Sequence, residues 1–186
     1  MMKIILAGYP GSQRIVPASK YLTRKYLKGF DITYLNYKGG ISGWSAYISG
    51  YLEALTDSYI IFALDDYLVS EPIDAEKFDD VTIGGKVVCV KLCESTPEEH
   101  IEYPVTTQYC VWNRKYLISL LERVKTPWEF EIEGSKLIRT DGYVSIHFPC
   151  IPYFANSSIS SRWEGVRLDG LNEEDKKYIL DNGLIS

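Results

Sequence analysis

The sequence lacks both a basic block and a long hydrophobic run, and each absence excludes a class of partner. Its 186 residues carry a formal net charge of −5 and contain no run of five or more basic residues. This argues against nucleic acid, whose binding depends on neutralising phosphates. The apolar core of the N-terminal segment spans only five residues, which is too short for a signal peptide or a membrane span. We therefore expect no integral membrane segment and a cytoplasmic protein.

Cysteine is also scarce. The chain has four cysteines, and none of them shows the Cys-x-x-Cys spacing typical of metal sites. Cys89 and Cys93 are separated by three residues in a strand-like run, so we expect their side chains on the same face. We interpret the cysteines as reduced structural thiols of a cytosolic protein.

The fingerprint of a dinucleotide-binding loop is missing as well. The loop from Gly8 to Gly11 follows the first apolar run but lacks the Gly-x-Gly-x-x-Gly spacing. The second apolar run opens with Asp31 and has no acidic residue at its end, where a dinucleotide ribose would bind. These two features argue against a dinucleotide-binding fold.

The first half of the chain instead alternates between strand-like and helical patterns. Apolar runs begin near Lys3, Asp31, Tyr59 and Lys86, at intervals of roughly 28 residues. Apolar residues at helical spacing occupy 12–27 and 44–55 between them. This alternation is typical of βαβ units. We predict a single α/β domain with a mainly parallel central sheet flanked by helices.

The second half is less regular. Thr126 has the properties of an N-cap and Pro127 suits the first helical position, so we predict a short helix from Trp128 to Glu133 that Gly134 ends. The other predicted elements are a strand at 106–112, a helix at 114–124, a strand at 142–149 and a terminal helix at 172–182.

Two adjacent carboxylates, Asp65 and Asp66, end the apolar run that begins at Tyr59. Burying ionised carboxylates is costly unless they are paired or bind a metal ion, so we expect them at the exposed C-terminal end of the strand. Ligands bind at that edge in open α/β sheets. A pair of carboxylates there suits a hard divalent cation and the phosphates that it carries. The alternative is that one aspartate caps a turn and the other is solvated.

Several short motifs follow one another along the chain. They are Leu6-Ala-Gly-Tyr-Pro-Gly11, Trp44-Ser45, Leu64-Asp-Asp-Tyr67, Gln108-Tyr-Cys-Val-Trp-Asn-Arg114, Pro127-Trp-Glu-Phe-Glu131 and Arg162-Trp163. In this order they resemble glycosyltransferases of the GT-A fold, particularly small bacterial and viral sugar transferases. The resemblance spans most of the chain. It implies a nucleotide-sugar donor, a divalent cation (Mn²⁺ or Mg²⁺) and sugar transfer to a hydroxyl of a glycan or glycolipid acceptor.

The resemblance also implies that the two halves of the single domain bind different substrates. Residues 1–95 are expected to bind the nucleotide sugar, and residues 96–186 to form the acceptor side. The chain is short for this fold, which leaves open that a partner chain, as in a homo-oligomer, or a membrane-bound complex completes the acceptor side.

The carboxylate pair departs from the metal-binding signature of that fold, which is Asp-x-Asp. Here Asp65 and Asp66 are adjacent, and Tyr67 stands where the second aspartate is expected. Successive strand side chains point to opposite faces, so both aspartates can bind one cation only if the strand has already become a loop. In the alternative, one carboxylate binds the cation and its neighbour binds the ribose or a sugar hydroxyl. We assign both as candidate metal ligands, with Asp65 also in donor binding and Asp66 also in catalysis.

Inverting sugar transfer needs a general base for the acceptor hydroxyl, and a carboxylate can serve. The resemblance places this role after Pro127, where Glu129 and Glu131 differ in direction by about 200° if the segment is helical. Only one of them can then face the cleft. Trp128 and Glu131 share a helix face, and family position favours Glu131 as the base with Trp128 as a sugar-stacking wall. Glu129 stays as the second candidate; alternatively, both acids only favour the helix macrodipole.

The leaving nucleoside diphosphate needs positive charge, which a cation or a basic side chain can supply. Arg162 is the first candidate and Arg14 the second, and the small polar stretch at 155–161 suits a loop that closes over the donor. The loop after the first strand is expected to cradle the nucleobase, with the Tyr9 ring stacked on it. The residues of this cradle are Tyr9, Pro10 and Gly11.

Further candidates for substrate contacts are Trp44, Arg114 and Trp163. Arg114 has the alternative of a structural ion pair with a glutamate. His147 is either a late metal ligand or a structural residue of its strand-like run, and His100 is expected to be solvated.

Two other functions stay open from the sequence. A nucleotidyltransferase also joins a nucleotide site to a parallel sheet, but the segment from Gly8 to Arg14 is a poor match for its glycine-rich, basic first loop. A binding module for nucleotides or carbohydrates that has the fold but no catalysis is the third hypothesis, because the metal motif is imperfect.

Overall fold

The computed structural model describes residues 2–73, 78, 81, 83–94, 101–155 and 168–185. The strands are β1 (Lys3–Ala7), β2 (Asp31–Leu35), β3 (Tyr59–Leu64), β4 (Tyr67–Val69), β5 (Val87–Lys91), β6 (Cys110–Asn113), β7 (Val144–His147) and β8 (Tyr153–Ala155). The α-helices are α1 (Val16–Tyr26), α2 (Trp44–Glu53), α3 (Arg114–Leu121), α4 (Pro127–Thr140) and α5 (Glu173–Asp181). Short 3-10 helices at Ser12–Arg14 and Ile41–Gly43 precede α1 and α2.

The central sheet has the strand order β2-β1-β3-β6-β5-β7. β1 pairs in parallel with both β2 and β3, and β5 pairs in parallel with β7. β6 is antiparallel to its neighbours β3 and β5. The prediction of an α/β domain with a mainly parallel sheet is therefore confirmed, with β6 as the antiparallel member. All the other strands of this sheet end at one edge.

Helices cover both faces of the sheet because the strand side chains alternate between two cores. Ile60 and Phe62 of β3 belong to the core shared with α2, α3 and α4, where large side chains such as Phe130 are fully buried. Ile61 and Ala63 belong to the core shared with α1 and α5. Within the described ranges, no helix has the length and apolar character needed to cross a lipid bilayer.

α4 is longer than the sequence pattern predicted. Thr126 caps it, accepting a hydrogen bond from the backbone N–H of Glu129 at 3.1 Å, and Pro127 occupies its first turn. The expectation that Gly134 ends this helix is wrong, because Gly134 lies within it and is buried. A Cβ at Gly134 would lie 3.0 Å from Cγ1 of Val105. The glycine therefore allows close packing of the segment that leads into β6, and it does not terminate the helix.

The segment before β6 also differs from the prediction. A strand was expected at 106–112, but β6 begins only at Cys110. Side chains of α4 hold the residues before it: Ser135 accepts a hydrogen bond from the backbone N–H of Val105 at 3.1 Å. Arg139 donates to the backbone oxygen of Glu102 at 3.0 Å. Closer to β6, the backbone oxygens of Thr107 and Tyr109 accept hydrogen bonds of 2.9 Å from the N–H groups of Leu64 and Leu92.

α5 is held on α1 by a buried carboxylate. Asp175 is fully buried and accepts hydrogen bonds from the hydroxyls of Tyr21 (2.8 Å) and Tyr26, and it pairs with Lys25 at 2.7 Å. Asn172 caps the helix by accepting from the backbone N–H of Asp175 at 2.9 Å. The terminal helix predicted at 172–182 is thus fixed to the rest of the domain by a fully partnered charge.

Candidate active site

The two adjacent aspartates lie in a turn at the C-terminal edge of the sheet. β3 ends at Leu64, which is in register with Ala7 at the end of β1. Asp65 and Asp66 form the turn that follows, and its first backbone N–H still donates to the oxygen of Ala7 at 3.2 Å. The strand has therefore ended before the carboxylates, which is the condition for both of them to approach one ligand. Neither aspartate is solvated, since their exposures are 1% and 6%.

The site needs a glycine beside Asp65. A Cβ at Gly8 would lie 2.9 Å from Oδ2 of Asp65 and 3.3 Å from the backbone oxygen of Leu35. Ser12 is also in this corner, and its hydroxyl accepts a hydrogen bond from the backbone N–H of Tyr9 at 3.1 Å. The loop after β1 therefore closes tightly over the first carboxylate.

Tyr9 positions the second carboxylate. Its hydroxyl donates a hydrogen bond of 2.6 Å to Oδ2 of Asp66. The ring itself is buried, with an exposure of 4%. The expectation that Tyr9 stacks on a nucleobase does not agree with this burial, because neither face of a buried ring is open to a ligand. Pro10 is partly exposed and Gly11 exposed, and Gly11 has a φ of 108° that favours glycine.

Burial changes the protonation of both aspartates. Burial, and after it the charge of Asp66, raises the pKa of Asp65 to about 8, although a hydrogen bond from Ser12 acts in the opposite direction. Burial raises the pKa of Asp66 to about 7, although the hydrogen bond from Tyr9 lowers it. Two acids with raised pKa values at a sheet edge are typical of functional sites, because stability alone does not favour them.

One oxygen of each carboxylate lacks a partner among the described residues. Oδ1 of Asp65 and Oδ1 of Asp66 are both buried without a hydrogen bond. A buried acceptor without a partner indicates a bound ion or water, and hard carboxylate oxygens suit Mn²⁺ or Mg²⁺. The described part of the chain brings no three His, Cys, Asp or Glu residues together as a metal site. The pair therefore fits a cation that takes its other ligands from phosphate and water.

Glu131 reaches the same region from α4. Its Oε1 accepts three hydrogen bonds: 2.8 Å from the backbone N–H of Thr107, 2.8 Å from the Thr107 hydroxyl and 3.1 Å from the Thr106 hydroxyl. Its charge contributes to the raised pKa of Asp66. Oε2 makes no hydrogen bond to any residue in the described part of the chain. The side chain is thus held through one oxygen, and the other is available to a substrate.

Glu129 points elsewhere. Its Oε2 accepts a hydrogen bond of 2.8 Å from the backbone N–H of Lys125, the residue before the N-cap Thr126, so Glu129 holds the chain at the start of α4. The structure therefore separates the two carboxylates, with Glu131 on Thr106 and Thr107 and Glu129 at the start of α4.

Trp128 lies at the rim of the site. It is 47% exposed, and its ring meets the ring of Tyr9 edge to face with the centroids 6.4 Å apart. Because Tyr9 binds Asp66, this contact places an exposed indole beside the carboxylates. Trp128 is therefore positioned where a sugar ring could stack.

Two other expected contact residues are structural. Trp44 is completely buried, packs on Phe62 and Phe130, and donates its indole N–H to the backbone oxygen of Gly8 at 3.1 Å. It supports the loop from beneath and cannot touch a substrate. Arg114 follows β6 and donates to the backbone oxygens of Asp57 (2.6 Å) and Leu52 (2.8 Å). These partners lie at the opposite edge of the sheet, before β3 begins, so the arginine joins α2 to β6.

Some predicted residues lie outside the described ranges. They are Arg162, Trp163, His100 and most of the polar stretch at 155–161. Arg14 is described and lies exposed in the 3-10 helix after β1. His147 lies on the edge strand β7, with its Nε2 2.6 Å from the backbone oxygen of Cys93, which fits the structural interpretation.

The sequence interpretation missed the residues that orient the acids. Ser12, Thr106 and Thr107 are buried polar residues whose side chains contact the carboxylates or their supports. Two adjacent threonines before an aromatic strand gave no signal, because their partner Glu131 lies 24 residues away in the chain. The capping box around Thr126 was a local pattern that could have assigned Glu129 to the helix end.

Comparison with solved structures confirms a GT-A-like fold. A glycosyltransferase involved in the glycosylation of the major capsid of PBCV-1 superposes with a TM-score of 0.54 at 15% identity, covering 80% of this chain and 82% of its own. A cytidylyltransferase from Leptospira borgpetersenii gives a TM-score of 0.55 at 10% identity, with coverages of 99% and 96%. A mannosyltransferase from Pyrobaculum calidifontis, solved with GDP-Man and Mn²⁺, gives 0.46 at 12% identity, with coverages of 86% and 57%.

Sequence comparison adds nothing to this assignment. No protein-family model matches the chain, and no curated protein is significantly similar to it. The fold is therefore shared with a glycosyltransferase and a cytidylyltransferase, and at these identities the likeness concerns the fold alone.

Proposed function

We propose that the protein is a glycosyltransferase that moves a sugar from a nucleotide-diphosphate sugar to an acceptor hydroxyl. The observation that carries this proposal is the group of three acids at the sheet edge. Asp65 and Asp66 have buried oxygens without partners, and Glu131 is held beside them through a single oxygen. A cation-binding pair next to a separate, oriented carboxylate suits diphosphate departure and proton removal in one site.

The aspartates are the part of the site that would hold the donor. Asp65 and Asp66 would bind Mn²⁺ or Mg²⁺ through their unpartnered Oδ1 atoms. Tyr9 orients Asp66, and Gly8 and Ser12 enclose Asp65. When bound, the cation would supply positive charge to the leaving diphosphate. In the absence of a ligand both acids favour the protonated form, so donor and cation binding would release protons.

Glu131 is proposed as the general base. Its Oε1 is fixed by Thr106 and Thr107, so Oε2 would take the proton of the acceptor hydroxyl. The acceptor oxygen would attack the anomeric carbon as it loses this proton. The bond from the anomeric carbon to the diphosphate breaks at the same time, which inverts the configuration. Trp128 would hold the acceptor sugar through its exposed ring, because carbohydrate faces stack on indole.

The competing functions make different products. Purified protein would be incubated with UDP- and GDP-sugars, with and without Mn²⁺, and separately with nucleoside triphosphates and sugar phosphates. Release of UDP or GDP that depends on Mn²⁺ and is lost in Asp66→Asn supports the transferase. Pyrophosphate release instead supports a nucleotidyltransferase. This alternative is tested because a cytidylyltransferase has a similar fold. Saturable binding without turnover identifies a binding module.

The base assignment has a matched control in the same helix. We expect Glu131→Gln to lower the transfer rate by about 100-fold, the lower end of what a positioned general base contributes, while donor affinity is unchanged. Glu129→Gln should leave the rate near wild type, since that side chain holds the chain at the start of α4. A collapse of donor affinity in Glu131→Gln, or equal rate losses in both variants, would show that Glu131 is not the base.

A further inference from the structure

A cavity lies beside α1, on the outer edge of the sheet. It has a volume of about 430 Å³ and opens between this helix and the edge strand β2. Its walls are of two kinds. The apolar wall consists of Leu27, Phe30, Ile32 and Tyr34, and the cationic wall of Lys20, Arg24 and Lys28. We call this cavity the α1 groove.

The cations of the α1 groove have no anionic partner in the described part of the chain. No aspartate or glutamate is among the described residues that line the groove. The ammonium of Lys20 lies over the ring of Tyr34, 5.2 Å from its centroid. By contrast, the neighbouring Lys25 turns to the other side of the helix and pairs with Asp175 at 2.7 Å. In a chain with a net charge of −5, the groove is a local concentration of unpaired positive charge.

The spacing of these cations suits one anionic group. Lys20 and Arg24 are four residues apart on α1, which separates them by about 6 Å along the helix axis. Like charges at this spacing weaken a helix. The macrodipole offsets the cost for Arg24 in the last turn. It does not do so for Lys20 in the middle of the helix, whose ammonium lies over the ring of Tyr34.

We propose that the α1 groove binds a phosphate monoester attached to an apolar or aromatic group. Arg24 would contact the phosphate through its planar guanidinium, with Lys20 and Lys28 on either side of it. The organic part would lie against Phe30 and Ile32. Among the residues that line the groove, Lys20 lies near enough to Asp65 for its charge to lower the pKa of that carboxyl, so the test below excludes divalent cations to separate the groove's ligand from the proposed donor. A soluble phosphorylated molecule and a lipid head group both present this chemistry.

The test is a titration of the isotope-labelled full chain by NMR, in EDTA so that no divalent cation links the ligand to the aspartates. Phenyl phosphate is the probe, and inorganic phosphate and phenol each present one half of it. We expect the amide signals of Gly29 and Phe30, at the mouth of the groove, to shift with phenyl phosphate. Its affinity should exceed that of either half molecule.

Matched double variants decide whether the groove carries the binding. Arg24→Gln with Lys28→Gln should weaken phenyl phosphate binding by about tenfold or more, since charge-assisted bonds are lost. Lys136→Gln with Lys177→Gln makes the same change of net charge on other helices and should leave the affinity unchanged. Thermal unfolding without ligand checks that both proteins fold. Equal losses in the two double variants, or no saturable shifts in the wild type, would overturn the proposal.

A second arm distinguishes the sources of the phosphate. Phosphatidylcholine vesicles with and without phosphatidic acid, whose head group is a phosphate monoester, would be sedimented with the same proteins. Binding that requires phosphatidic acid and is lost only in the Arg24→Gln, Lys28→Gln protein supports a lipid ligand for the groove. Phenyl phosphate binding without vesicle binding supports a soluble one.

Discussion

Replacing Asp65 by asparagine should stabilise the protein while it removes a proposed ligand of the cation. The side chain is almost fully buried, and one of its oxygens has no partner among the described residues. Its pKa rises from 3.8 to about 8, mainly because burial disfavours the charged form. At about 1.4 kcal/mol per pKa unit, this rise corresponds to roughly 6 kcal/mol against the ionised carboxylate in the folded state.

The sign of the pH dependence follows from proton binding. The folded state holds the proton of Asp65 more tightly than the unfolded state does, so its stabilisation is complete below pH 3.8 and is lost as the pH rises towards about 8. Asparagine has no charge to bury at any pH. We expect Asp65→Asn to gain about 1–3 kcal/mol near pH 8, because relaxation and hydration offset part of the calculated cost. The gain should shrink towards zero as the pH falls.

Asp175→Asn is the matched control. This aspartate is equally buried, but it is partnered by Lys25, Tyr21 and Tyr26, and its pKa is lowered in spite of burial. Its stabilisation is present above the unfolded pKa and is lost as the pH falls through the lower folded value. We therefore expect Asp175→Asn to lose about 2–4 kcal/mol near pH 8.

Urea unfolding followed by circular dichroism, in EDTA between about pH 6 and pH 8, measures both effects. The slope of free energy against urea should be unchanged in each variant, so that midpoints report stability. A loss of stability in Asp65→Asn near pH 8, comparable to that of Asp175→Asn, would mean that Asp65 is partnered like Asp175. The argument for a ligand at its Oδ1 would then fail.

Three further changes test the supports of the site. Tyr9→Phe removes the 2.6 Å hydrogen bond to Asp66 and should weaken Mn²⁺ binding, measured by calorimetry, by about tenfold. An unchanged affinity would show that the Tyr9 hydroxyl does not contribute to cation binding. Thr107→Val removes one of the two hydroxyls bonded to Glu131 and should lower the transfer rate about tenfold without a change in donor affinity. A loss confined to donor affinity would contradict that. Gly8→Ala places a Cβ 2.9 Å from Oδ2 of Asp65 and should lower the unfolding free energy by about 1–3 kcal/mol in urea unfolding. A neutral effect would show that the loop can move away from Asp65.

The fold was largely accessible from local patterns. Apolar runs near Lys3, Asp31 and Tyr59, with helical spacing between them, correctly predicted the parallel strands β1, β2 and β3 and the helices α1 and α2. The cap at Thr126 and Pro127 correctly predicted where α4 begins. These features depend on residues close in the chain, where alternation, capping and helical period act directly.

The same patterns failed wherever a distant contact decided the outcome. Gly134 resembles a helix stop, yet it lies inside α4 because Val105 packs against it. Trp44 was also a candidate for substrate contact, yet the loop at Gly8 and the ring of Phe130 enclose it.

The sequence on its own therefore determined the strands β1 to β3, the helices α1 and α2, and the position of the Asp65-Asp66 pair at the end of β3. The contacts that each of these acids makes were visible only in the tertiary structure. Glu129 and Glu131 are two residues apart and chemically alike, and they differ only in what the folded chain brings to each of them. One meets the backbone of Lys125, and the other meets Thr106 and Thr107. Burial likewise sets the charge of the two aspartates, and burial exists only after the loop, the sheet edge and α4 have come together.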